Sequence, residues 1–277
     1  MYTTIMVNLD LFGDCNNLLK VTAYLAERFN AEVIGVCAST AIQTVTYDAG
    51  SITGEVIELD RKEVKQGMQA AEEQFRAALA HCSGRLQWRS QVAMDSPTGF
   101  VIRQGRCADM LITSGGQSGV LFDNKRNVNT ADLVMQAGRP VLIVPQGIET
   151  LAARNIVIAW KDTRETRRAV MDALPFLIAA AHVTVAEIVE NETDSATATA
   201  DVDDVTQWLH RHGVRANGLA VRRHGKTAAQ LEGIARSEGA DLLIAGAYGH
   251  SRFREWVLGG VTLDLLQQTG LCSLLSH

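Results

Sequence analysis

Short apolar runs alternate with amphipathic stretches along the whole chain, and the order of events is the same twice. Ile5-Met-Val-Asn-Leu9 and Ile156-Val-Ile-Ala-Trp160 are near-continuous apolar runs, the pattern of a parallel strand buried on both faces. Each is followed by a polar bend and a helical pattern, over about Asn16–Phe29 in the first half and Glu165–Ala180 in the second. Leu174, Leu177 and Ile178 fall at helical spacing in the latter, with Pro175 set to kink it. Strands are expected next at Glu32–Cys37 and His182–Ile188, then helices at Arg61–His81 and Val202–His212. Strands at Leu86–Val92 and Gly218–Val221 precede helices at Pro97–Gln104 and Thr227–Ser237. Strands at Met110–Thr113 and Leu242–Ala245 lead into a loop, a helix and a last strand, Pro140–Val144 or Cys272–Leu275.

The repetition extends to identities. Ala108-Asp-Met-Leu-Ile112 aligns with Ala240-Asp-Leu-Leu-Ile244 at an offset of 132 residues, and without a gap ten of the 39 pairs from Cys107/Gly239 to Pro145/His277 are identical. The first strands align at an offset of about 151, so the first half carries about 19 extra residues. The Thr-, Gly- and Ile-rich segment Ser39–Asp60 is the place for them, as an elaborated loop. Strands alternating with helices imply α/β architecture: two tandem doubly wound domains, residues 1–147 and 154–277, each with a five-stranded parallel sheet. Each last strand is a sheet edge that invites pairing.

Composition narrows the class. The 277 residues, 47% hydrophobic and 21% charged, exceed one ordinary domain and fit a globular protein. A net charge of −5 gives no footprint for nucleic acid. Five scattered cysteines, with no CxxC pair, suit structural thiols in a reducing compartment. No signal peptide or membrane-spanning run is present, so the expectation is a cytoplasmic protein without a membrane partner.

One loop carries organised ligand chemistry. Gly246-Ala-Tyr-Gly249-His250 follows an apolar strand, and Gly259-Gly260-Val261-Thr262 opens a helical pattern. Glycines allow close backbone approach, and a helix start offers unpaired N–H groups and a positive dipole end. Together these suit a phosphate at the carboxyl end of a strand. The alternative is a structural strand-to-helix turn. His250 has no carboxylate, Ser or Cys partner and reads as a pocket-rim residue; Arg252 and Arg254 read as solvated charges. His210 and His212 are two apart and do not share a helix face, so no metal site is expected there. Asp201, Asp203 and Asp204 fit a helix start better than a calcium loop. The P-loop signature and a nucleophile–base pair are both absent, and no catalytic residue is assigned.

The spacing Gly246-x2-Gly249-x9-Gly259, with Leu258-Gly-Gly-Val-Thr262 and the opening Ile156-Val-Ile-Ala-Trp160, resembles the universal stress protein family. The likeness covers both halves, as in a tandem two-domain member. The resemblance implies an adenine nucleotide site, for ATP or for ADP or AMP, formed by Ala159, Trp160, Lys161, Gly246, Gly249, His250, Gly259, Gly260, Val261 and Thr262. Magnesium would enter only with the nucleotide. It also implies that the last strands pair the two halves within the chain; a further homodimer stays open. Two positions depart from the family pattern. Its Ser or Thr after the third glycine is Gly260, and its Asp after the first strand is Lys161, which cannot accept a hydrogen bond. Lys161 either attracts phosphate or fills the pocket. In the first half, the four glycines become Ser114, Gln117, Asn127 and Val128, so no family-type ATP site is expected there. The implied function is a stress-response regulator that binds a nucleotide. An interaction protein with two decayed sites is the alternative, and a slow ATPase, lacking a base, comes last.

Overall fold

The computed structural model describes residues 1–11, 13–41, 54–82, 84–93, 96–115, 126–191, 195–247 and 270–277. The first half contains β1 (Thr4–Asn8), α1 (Asn16–Phe29), β2 (Glu32–Thr40), α2 (Gly54–Ala78), β3 (Leu86–Ala93), α3 (Pro97–Gln104), β4 (Met110–Ser114), α4 (Thr130–Gln136) and β5 (Val141–Val144). The second contains β6 (Asn155–Trp160), α5 (Arg164–Ala179), β7 (His182–Val189), α6 (Ser195–Arg211), β8 (Ala216–Arg222), α7 (Thr227–Ser237), β9 (Leu242–Gly246) and β10 (Cys272–Ser276). The strand order is β3-β2-β1-β4-β5-β10-β9-β6-β7-β8 in one sheet. Neighbours within each half are parallel, the doubly wound α/β arrangement expected from the alternating pattern.

The halves meet at β5 and β10, which pair antiparallel with Leu274 opposite Leu142. Both strands are buried, so this junction covers two apolar edges at once. Beside it, Tyr2, Phe29 and Phe176 form a three-ring cluster with centroids 5.1–5.5 Å apart. Arg28 donates to the Ala152 carbonyl in the join between the halves at 2.5 Å, and Arg168 crosses between halves to the Gly138 carbonyl at 2.8 Å. The apolar layers on the two faces of the sheet each draw residues from both halves.

The repeated Ala-Asp motif has a structural reason. Asp109, just before β4, accepts from the Thr3 and Thr4 amides at 2.7 and 3.0 Å and from the Thr3 hydroxyl at 2.8 Å. Asp241, just before β9, accepts from the Arg154 and Asn155 amides at 3.2 and 3.3 Å. Each aspartate clamps the entry of the first strand of its half to the entry of the fourth.

The elaborated loop expected at Ser39–Asp60 is corrected. Strand β2 runs through Thr40, and residues 54–60 form the first turns of α2. The 25-residue α2 takes up part of the extra length as helix; residues 42–53 lie outside the described residues. Similarly, α6 begins at Ser195, so Asp201, Asp203 and Asp204 lie inside the helix and not at its start. His210 and His212 bond separately to the Ala216 and Trp208 carbonyls, at 2.7 and 3.0 Å. Among the described residues, no helix is long and apolar enough to cross a membrane.

Candidate functional site

In the second half the chain turns in opposite directions from β6 to β7 and from β9 to β10, which makes the β6–β9 boundary a topological switch point. Ala159 lies beside Ala245 in register, so Trp160 and Lys161 leave one strand beside Gly246 and Ala247 leaving the other. The structure therefore brings Ala159, Trp160, Lys161 and Gly246 to one end of the sheet. Gly249, His250, Gly259, Gly260, Val261 and Thr262 lie outside the described residues, as do Arg252 and Arg254.

Strand alternation sorts the described group. Ala159 faces the α7 layer, where it packs beside Val157 and Ala245. Trp160 faces the α5 layer, 8% exposed. Its register partner on β7 is Glu187, which lies on the same face. Trp160 Nε1 and Glu187 Oε2 are both buried and neither has a hydrogen-bond partner among the described residues. Native interiors rarely leave such groups unpaired, because each costs about 1–3 kcal/mol. Here a donor and a carboxylate acceptor stand in one row at the carboxyl ends of adjacent strands. Burial pushes the Glu187 carboxyl above the usual carboxylate range, and the nearby Asp201 adds to that; Lys161 opposes it. Lys161 itself is exposed, and its positive charge stands near this row. Pattern reading of a single strand missed Glu187, because its significance arises from register with Trp160.

Gly246 has a packing reason as well. A Cβ there would lie 2.5 Å from the Thr166 amide nitrogen and 2.7 Å from both the Glu165 carbonyl carbon and Thr166 Oγ1. The end of β9 thus rests against the first turn of α5. That turn is fixed by Thr163, whose hydroxyl caps it by accepting from the Thr166 amide at 3.3 Å. Glu165, 5% exposed, pairs with Arg164. Beside them, Arg164, Glu165, Arg168 and His277 line a depression. Nearby, the Ala247 amide donates to the Ser276 carbonyl at 2.8 Å, the Ala247 carbonyl accepts from His277 Nδ1 at 3.1 Å, and the Ser276 hydroxyl donates to Asp172 at 2.9 Å.

The same end of the first half is built differently. The row equivalent to Trp160 and Glu187 is Leu9 and Cys37, 1% and 0% exposed. Val64 and Met68 of α2 pack over Cys37, with Leu11 alongside. Arg126, which follows the loop after β4, reaches across to the end of β2. Its guanidinium donates to the Thr40 carbonyl at 3.2 Å and pairs with the buried Asp60 at 2.6 Å. Its carbonyl accepts from the Ser39 hydroxyl at 3.0 Å. Apolar packing and this strap occupy the position where the second half presents unmet polar groups.

Residues 152–270 match the family model described as the Universal stress protein family. No curated protein matches the chain. Among solved structures, a universal stress protein from Archaeoglobus fulgidus is similar at 11% identity and a TM-score of 0.74, over 99% of this chain and 95% of that one. A functionally unknown protein from Pseudomonas aeruginosa is similar at 12% identity and a TM-score of 0.64, over 99% and 92%. At these identities the structural likenesses establish the fold of the whole chain.

Proposed function

We propose, for a chain whose second half belongs to the universal stress protein family, that it is a cytoplasmic stress-response regulator binding one adenine nucleotide at the carboxyl ends of β6, β7 and β9. The observation that carries this reading is the pair of buried atoms Trp160 Nε1 and Glu187 Oε2, which have no hydrogen-bond partner among the described residues and lie beside the switch point. A ligand group that accepts from the indole and donates to the carboxylate satisfies both, and a ribose hydroxyl of a nucleoside does this. Glu187 then supplies the carboxylate acceptor that Lys161 cannot. Lys161, exposed at the rim, is placed to attract the phosphates, which would lie toward Gly246 and the loop beyond it. ATP, ADP and AMP all fit this scheme, with magnesium held only through bound phosphates.

The mechanism is biased conformation or association. Nucleotide acts as a signal to the extent that it binds two states of the protein unequally. The leucine–cysteine row and the Arg126 strap in the first half support one site per chain.

Calorimetry with ATP, ADP and AMP on nucleotide-free protein tests the reading. Expected is a stoichiometry of one per chain, weakened by Trp160→Phe and by Glu187→Leu. Lys161→Asp should weaken ATP binding more than AMP binding. No binding of any of the three to the wild type would refute the proposal and leave an interaction protein built as an internal pseudo-dimer.

A further inference from the structure

A second cluster lies at the opposite end of the sheet. Helix α1 ends where β2 begins and α2 ends where β3 approaches, so the two helix carboxyl termini converge at the amino ends of the strands. There Glu27, in the last turn of α1, meets His81 and Cys82, which follow α2. One ligand atom from each lies within 4.8 Å of the other two, and His81 Nε2 stands 3.5 Å from Glu27 Oε1. Two ligands on a tetrahedral zinc ion, at about 2.0–2.1 Å from the metal, are about 3.3 Å apart, so that edge is nearly formed.

We propose that Glu27, His81 and Cys82 form a surface site for a divalent transition-metal ion, zinc by its ligand chemistry. Carboxylate oxygen, imidazole nitrogen and thiolate sulfur are all zinc donors, whereas a thiolate disfavours magnesium and calcium. Three protein ligands leave a fourth position for water. The converging helix ends present carbonyl oxygens and negative dipole ends, which favour a cation. Cys82 is half-buried, with its thiol donating to the Ala23 carbonyl at 3.9 Å. Metal binding releases that thiol proton to solvent as the Zn–S bond forms. The bound ion would tie α1 to α2 at the end of the molecule remote from the nucleotide crevice.

Among the described residues, the second half shows no such cluster. At the 151 offset Glu27 becomes Ile178, which is 55% exposed. The site therefore belongs to the first half alone, and it gives that half a chemistry independent of nucleotide.

Cobalt(II) is the first probe, titrated into full-length reduced protein freed of metal. Expected are a thiolate-to-cobalt charge-transfer band and tetrahedral visible bands saturating at one equivalent. Cys82→Ser should abolish the charge-transfer band, while Cys107→Ser, altering an exposed thiol elsewhere, should leave it intact. Zinc should displace cobalt and slow alkylation of Cys82. Glu27→Gln and His81→Ala should each weaken zinc binding about tenfold or more, since even outer-shell changes reach that scale. Folding of each variant is checked by circular dichroism; Glu27 and His81 are more than half exposed, so their replacement should leave the fold intact. Absence of saturable cobalt binding, or binding indifferent to Cys82→Ser, would overturn the proposal.

Discussion

Gly246→Ala separates two reasons for one glycine, close backbone packing and close approach to a ligand. The added Cβ would stand 2.5 Å from the Thr166 amide nitrogen, and ordinary contact begins at 3.4 Å, so the shortfall is 3.4 − 2.5 = 0.9 Å. The Glu165 carbonyl carbon at 2.7 Å is also main chain. A rotamer change cannot relieve either contact; β9 and the first turn of α5 must move apart. Yet β9 is fixed by pairing to β6 on one side and β10 on the other. The cost should fall in the upper part of the overpacking range, about 2–3 kcal/mol. For a protein of this size that lowers Tm by about 4–10 °C. Gly233→Ala is the control: Gly233 lies in α7, and a Cβ there meets nothing within 4 Å. It should raise stability by about 0.5–1 kcal/mol. Urea unfolding of ligand-free protein measures both. A Gly246→Ala variant within about 0.5 kcal/mol of wild type would refute the packing account and leave ligand approach as the reason for the glycine.

Asp109→Asn should destabilise by about 1 kcal/mol at pH 7, mainly by removing charge from three accepted hydrogen bonds. Burial raises the Asp109 pKa, but the Thr3 and Thr4 bonds and Arg139 outweigh it and hold the carboxyl below its usual range. A depressed folded pKa stabilises above the unfolded value and loses that contribution as pH falls through the folded one. The gap between wild type and variant in urea unfolding should therefore close below about pH 4; a constant gap would contradict the assignment. Arg126→Ala should cost about 1–3 kcal/mol, because Asp60 is left buried while the partly exposed arginine limits the loss. Adding Asp60→Asn should recover part of that cost in a double-mutant cycle; strict additivity would show that the two side chains do not interact.

The fold was legible because the apolar runs are compact and the chain states its plan twice. Met110–Ser114 and Leu242–Gly246 are almost fully buried, which is why periodicity locates their strands directly. Helix starts were less legible. Ser195-Ala-Thr-Ala-Thr-Ala200 is small and polar, carries no apolar stripe, and still begins α6; tertiary packing of Ala198 and Val202 overrides weak local preference. The start of α2 was hidden for a related reason: Val56 and Leu59 are exposed, so their apolar character marks no core-facing stripe. At the candidate site, the strand-one residues were named through the family resemblance, and Glu187 was not. A charged residue in a strand reads as an edge or solvent position until register sets it beside Trp160. The Glu27–His81–Cys82 cluster was hidden in the same way, since Glu27 comes from the end of α1 and His81 and Cys82 from the segment after α2, about 54 residues later in sequence.

The two halves fill the equivalent buried row differently. At the carboxyl end of β2 the row is apolar: Cys37 lies under Val64 and Met68, and nearby Asp60 meets Arg126, although Asn8 Oδ1 at the end of β1 is buried without a partner among the described residues. At the carboxyl end of β7 the corresponding row is polar, and two of its buried atoms have no partner among the described residues. Filling the second row as the first is filled should stabilise the ligand-free protein. A Trp160→Leu, Glu187→Cys double variant places the first half's residues there and removes two unpaired buried groups. Its gain, about 2–6 kcal/mol if both penalties are fully relieved, is reduced by the volume lost from the indole. The informative readout is the joint one. A ligand site predicts that nucleotide binding disappears while ligand-free stability holds or rises, the expected trade between binding function and stability. A variant that loses stability and retains nucleotide affinity would show that the row is structural and that the nucleotide is held elsewhere.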